Sequence, residues 1–289
     1  MAKTALIINA LSLDAVAVSL LWQFIFCISF SQSPPTLAES VSLGLTVWLI
    51  YCADRLLDAT RIDTRRQATF RHRFHRRYRH PMTIVWMLVM VADALVVCFG
   101  IDPPTQVLGI GLAAAVLVYG AGVHFAATPL KHIAKELQVG VLFAVGVSLV
   151  AWPHVVAETS NEVKMLITLA LASLLFACNC IFVAACELEF DQAQGFDSLP
   201  HRWMHHDRNS IDRFLILSTG FLAITSLALV ALQGIPATAG LAIAISFAFL
   251  SATGMFQSTW RRSSPITAGG FAADTALFLP PLLSLLWLP

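Results

Sequence analysis

Nine apolar stretches dominate this chain, near residues 6–30, 40–58, 82–101, 105–127, 138–157, 163–186, 213–233, 236–256 and 267–288. Each is long enough to cross about 30 Å of hydrocarbon as a helix. Hydrocarbon offers the backbone no water, so a chain built this way satisfies its N–H and C=O groups within its own helices. The expected fold is therefore all-α: a polytopic membrane helical bundle of about nine transmembrane helices. One membrane-embedded domain spans 1–289, with a basic loop at 59–81 inside it. A composition of 57% hydrophobic and 12% charged residues excludes an ordinary soluble domain of this length. The first stretch is too long for the apolar core of a signal peptide and no small-x-small cleavage site follows it, so it reads as a retained helix.

Charge in the connections sets an expected orientation. One side receives Lys3, the arginines from Arg61 to Arg79, Lys131, Lys135, Arg202, Arg208, Arg213, Arg261 and Arg262, while the other receives little beyond Lys164. By the positive-inside rule the N-terminus is cytoplasmic and the C-terminus outside, and a bacterial inner membrane is the expected location. The six cysteines lie in or near apolar stretches without a CxxC pair, which reads as packing and not as metal binding.

Carboxylates at the ends of apolar stretches are costly in a membrane and call for a partner. Asp54 and Asp58 are four apart and share one helix face, at the end of the second stretch. Glu187 and Asp191 repeat the spacing at the end of the sixth, with Asn179 two turns above Glu187. Both pairs fall on the cytoplasmic side. Hard oxygen ligands of this kind suit Mg²⁺, which commonly completes its shell with water and substrate phosphates. The plainer reading is that these acids only pair with neighbouring arginines at solvated helix ends. Two such pairs on sequence-distant helices, each followed by basic residues, favour a site.

Three segments carry a family resemblance. Glu187, Glu189, Phe190, Asp191, Gly195, Ser198, Leu199 and Pro200 follow the spacing of D-x-E-G-D-x-x-x-G-x-x-T-L-P, the second signature of the UbiA superfamily of intramembrane prenyltransferases. In the first signature, N-D-x-x-D-x-x-x-D, Asp54 takes the Asn position, Arg55 the first Asp and Asp58 the second. The last falls on Ile62, with Asp63 one residue late. Thr128-Pro-Leu-Lys131-His132 is similar to the family's Y-x-x-x-L-K-R without its Tyr. Arg55 for an acid and Phe190 for Gly are the main departures.

The resemblance implies a Mg²⁺-dependent membrane prenyltransferase. It would ionise a prenyl diphosphate and transfer the prenyl group to a lipophilic acceptor, an aromatic ring or quinone precursor. Asp54, Asp58, Glu187 and Asp191 would be the catalytic metal–diphosphate ligands, with Glu189 and Asp63 as further acids. Lys131, Arg61 and Asn179 would bind the diphosphate. Asp274, in the cytoplasmic half of the ninth stretch, would orient the acceptor or an arginine. Asp14, Asp93 and His124 also lie in apolar stretches and stay outside this site.

The run from Arg61 to His80 reads as a loop in contact with anionic lipid headgroups, or as a lid over the diphosphate. No nucleic-acid recognition fold accompanies it, so no nucleic acid is expected as a partner. Other function classes stay open. A terpene cyclase of the same superfamily would use the same diphosphate site without an external acceptor, and a diverged homologue could keep the fold without chemistry. A transporter would instead place its ionisable groups near the midplane within an internal repeat.

Overall fold

A computed structural model describes residues 8, 10–61, 70–125, 133–155, 159–188, 198–202, 208–260 and 267–285. The labelled elements are α1 (Leu13–Phe30), α2 (Leu37–Arg61), α3 (Phe70–Arg77), α4 (Arg79–Gly100), α5 (Pro103–Phe125), α6 (Lys135–Ser148), α7 (Thr159–Cys186), α8 (Leu199–Arg202), α9 (Arg208–Ala231), α10 (Ala237–Trp260) and α11 (Thr267–Leu285). Among the described residues eight helices are long and apolar enough to cross a membrane. The ninth apolar stretch is α11, whose described apolar part, Ala273–Leu285, is shorter. The protein is an all-α, multi-pass membrane bundle, as the run lengths require.

Local chemistry explains where these helices depart from the apolar runs. The first run is interrupted at Ser12, whose φ of 57° is left-handed, and α1 begins only at Leu13. α6 tightens through a 3₁₀ turn at Leu149–Ala151 before a last helical turn, Trp152–Val155. Pro153 has no N–H to give the Leu149 carbonyl, and the Trp152 N–H bonds that carbonyl instead. The basic stretch read as a loop at 59–81 is in part helical. α2 runs to Arg61, α3 occupies 70–77 and α4 starts at Arg79. From 59 to 80 that stretch contains neither Gly nor Pro, its one proline being Pro81 in the first turn of α4, and it is rich in Arg, a good helix former. Within it Phe74 packs against His75 and Tyr78, and His75 is buried.

α7 is the hub of the bundle, packing against α6, α8, α9, α10 and α11, while α1 fills the space between α6, α10 and α11. Trp22 of α1 is fully buried and sits edge-on to Phe176 of α7 at 5.3 Å, and Phe176 in turn meets Phe143 of α6 at 4.7 Å. The indole Nε1 donates to the Leu277 carbonyl of α11 at 3.0 Å. That carbonyl is the one the helix would bond to residue 281, which is a proline inside α11. A helix broken at Pro281 is thus repaired by a side chain of another helix, as a membrane interior demands.

α4 and α5 are peripheral. α4 leans on α2, through Trp86 Nε1 to the Leu49 carbonyl at 2.9 Å and Thr46 Oγ1 to Asp93 Oδ2 at 2.7 Å, and α5 leans on α6. Asp93 is therefore a buried group hydrogen-bonded to a neighbouring helix. The outward faces show Leu88, Phe99, Ile110 and Leu117, the surface a lipid-facing helix presents. Of the cysteines, Cys27, Cys52 and Cys178 are buried and all six are free thiols.

α6 and α7 approach closely at Gly140. A Cβ there would lie 2.5 Å from the Ser173 carbonyl oxygen and 2.6 Å from the Ala177 nitrogen, backbone atoms that cannot swing aside. Gly111 of α5 has nothing within 4 Å of the same position. Gly140→Ala should lower stability in detergent by about 1–3 kcal/mol through overpacking, whereas Gly111→Ala should leave thermal unfolding unchanged or raise it slightly. Equal melting of the two variants would contradict the close α6–α7 approach.

Candidate functional site

One end of the bundle gathers the polar groups. The C-terminal parts of α2, α5 and α7 and the N-terminal parts of α6 and α11 meet there, because the chain reverses direction with each crossing. Tyr119 of α5 marks the meeting point: it lies within electrostatic range of Asp54 and Asp58 on α2, of Glu136 on α6 and of Cys180 on α7. Asp54 is exposed and Asp58 half-buried. Their four-residue spacing on a continuous helix is what lets both act on one neighbour.

Arg55 has a different task from its acidic neighbours. Its Nη1 donates to the Ala10 carbonyl at 3.0 Å, tying the segment before α1 to the end of α2. Arg55 thus holds the segment before α1 against α2.

α7 ends at Cys186, and the Glu187 N–H still bonds the Val183 carbonyl at 3.0 Å, so Glu187 closes the last turn half-buried. Asp191 and Glu189 lie outside the described residues, as do Lys131 and Asp63. Arg61 closes α2, and its side chain is likewise outside the described part. The far end of the acidic motif returns at Ser198. From there α8 packs back on α7, and the Leu199 N–H donates to Glu136 Oε1 at 2.9 Å.

Glu136 is a site residue that the sequence reading missed. It is only 3% exposed, in the first turn of α6, and it ties residues 63 positions away to that helix. Its Oε2 and the Ser198 Oγ are both buried with no hydrogen-bond partner among the described residues. The available signal was a carboxylate beside Lys135 at the start of an apolar run, where an ionised group needs a reason. Lys135, beside it, lies within electrostatic range of Cys180, as do Glu136 and Asp274.

Deeper in the bundle, Asn179 of α7 is 6% exposed and its Nδ2 donates to Asp274 Oδ1 of α11 at 3.3 Å. Tyr51 of α2 lies within electrostatic range of Asp274, Cys180, Arg55 and Asp14. Asn179 precedes Glu187 by eight residues, about 12 Å along a helix. The end therefore has two storeys: carboxylates at the mouth, and an amide–carboxylate–phenol layer beneath.

The donor chemistry at the mouth fits Mg²⁺. Asp54 and Asp58 offer two hard oxygen ligands from one helix face, and that ion typically takes one or two carboxylates with substrate phosphates and water. Among the described residues no three His, Cys, Asp or Glu converge into a complete protein cage. No family model, curated protein or solved structure matches this chain.

Glu136→Ala should release Leu199, speeding amide hydrogen exchange across 198–202 and costing about 1.5–3 kcal/mol, as for a hydrogen bond to a charged group. Glu136→Gln keeps an acceptor and should retain most of the protection. Identical exchange in all three proteins would show that the bond does not hold the motif.

Proposed function

We propose that this protein is a diverged member of the UbiA superfamily and acts as a Mg²⁺-dependent membrane prenyltransferase. It would ionise a prenyl diphosphate and pass the prenyl group to a lipophilic acceptor. The observation that carries the reading is the convergence at Tyr119. The α2 carboxylates and Glu136, which holds the end of the second acidic motif, act on one side chain at one end of an otherwise apolar bundle. That end collects the basic connections, so it faces the cytoplasm, with the N-terminus inside and the C-terminus outside a bacterial inner membrane.

Asp54, Asp58, Glu187 and Asp191 are the residues that would hold Mg²⁺, and the bound ion would offset the charge growing on the leaving diphosphate. Lys131 and Arg61 contribute fixed positive charge as the allylic C–O bond breaks and its electron pair leaves with the diphosphate. The apolar bundle interior excludes water while the acceptor bonds to the allylic carbon and gives up a proton. Arg55 is left out of the ligand set, since it is engaged with Ala10. From its first motif this chain then relies on Asp54 and Asp58, with Asp63 as a further acid.

Purified protein in detergent should release pyrophosphate from a panel of prenyl diphosphates only when Mg²⁺ is present. Asp58→Ala and Asp191→Ala should each slow release by about 100-fold, at the upper end of losses seen when a metal site is disturbed. Product analysis then separates transfer to an acceptor from cyclisation of the prenyl chain. Absence of both release and Mg²⁺-dependent diphosphate binding would leave a non-catalytic homologue or a transporter, and the transferase reading would be abandoned.

A further inference from the structure

The layer beneath the carboxylates holds an open acceptor. Asn179 Nδ2 is committed to Asp274, which fixes the amide orientation, because a flipped amide would set oxygen against a carboxylate. The other atom of the amide, Oδ1, is buried with no hydrogen-bond partner among the described residues. A buried amide oxygen left unmet is costly, more so where no bulk water reaches it. The oxygen accepts and cannot donate, so what completes it must bring an O–H or N–H group. A diphosphate, fully ionised and rich in acceptors, is the wrong chemistry for it. Asn179 therefore fits a different ligand from the diphosphate contact expected of it.

Resting on the prenyltransferase reading, we propose that Asn179 and Asp274, with Tyr51 of α2 nearby, form the acceptor-binding site. The acceptor it takes is a lipophilic molecule whose hydroxyl or N–H group donates to Asn179 Oδ1. Its position suits this role. The layer lies about 12 Å inward of Glu187, within the apolar part of the bundle, where an acceptor dissolved in the membrane arrives while the diphosphate stays at the polar mouth. Three different helices contribute to it, α2, α7 and α11, so it is closed by the fold and not by any one segment. Asp274 acts on Asn179 as a positioning residue, and Asn179 touches the ligand.

The test is binding, measured by equilibrium dialysis of full-length protein against matched micelles. The probes are 1-naphthol, a long-chain alkylphenol and decanamide, each beside its methyl ether or N,N-dimethyl counterpart. The wild type should bind at least one donor-bearing probe about tenfold more tightly than its methylated partner, the margin expected from one hydrogen bond to an otherwise unmet buried group. Asn179→Leu should erase that preference and leave Mg²⁺-dependent binding of a prenyl diphosphate unchanged. Asp274→Ala, which frees the amide to turn, should reduce the preference. No preference for a donor anywhere in the panel would overturn the proposal without needing any variant. So would a preference that survives Asn179→Leu, or a loss of diphosphate binding in that variant. If the donor preference depends on Asn179 but no diphosphate binds the wild type, the polar site stands and the transferase reading falls.

Discussion

The hydrogen bond from Trp22 to the Leu277 carbonyl carries more of this architecture than its length suggests. A carbonyl stripped of its helix partner by Pro281 would be costly in the middle of a bilayer, several kcal/mol by the measure of unsatisfied groups in hydrocarbon. Its repair forces α1 and α11 into one register. The same indole packs edge-on to Phe176 of α7, which packs on Phe143 of α6, so one side chain aligns four helices. The α6–α7 contact at Gly140 then sets how near Glu136 comes to the end of α7.

That alignment determines the polar end. Glu136 reaches the Leu199 N–H only because α6 lies close against α7, and Asn179 reaches Asp274 only because α11 does too. The carboxylates of α2 come within range of Tyr119 on a helix that packs on α1 and α4. The polar end is thus assembled from several helices, none of which carries all of its charged groups.

Arg55 lies between Asp54 and Asp58 in sequence and makes a structural tie. Its Nη1 donates to the Ala10 carbonyl, which joins the chain before α1 to the end of α2. Asp54 and Asp58, four residues apart on a continuous helix, form a pair on one face of α2.

Much of this was legible in the residues themselves. Run lengths alone require the helical bundle, because hydrocarbon rewards every backbone group paired within its own helix. The spacing of Asp54 and Asp58, and of Asn179 with Glu187, places each set on one helix face by geometry alone. Other features depended on helices meeting. Glu136 looked like one more charge at a helix start until packing placed Leu199 against it, and the pairing of Asn179 with Asp274 shows only where α7 meets α11. The loop expected at 59–81 contains α3, since the charge pattern there says nothing of backbone conformation. Periodicity and run length are properties of a single segment and can be read along the chain. Partnership between polar groups 63 or 95 residues apart is decided by how closely packed helices approach, and that only the tertiary structure settles.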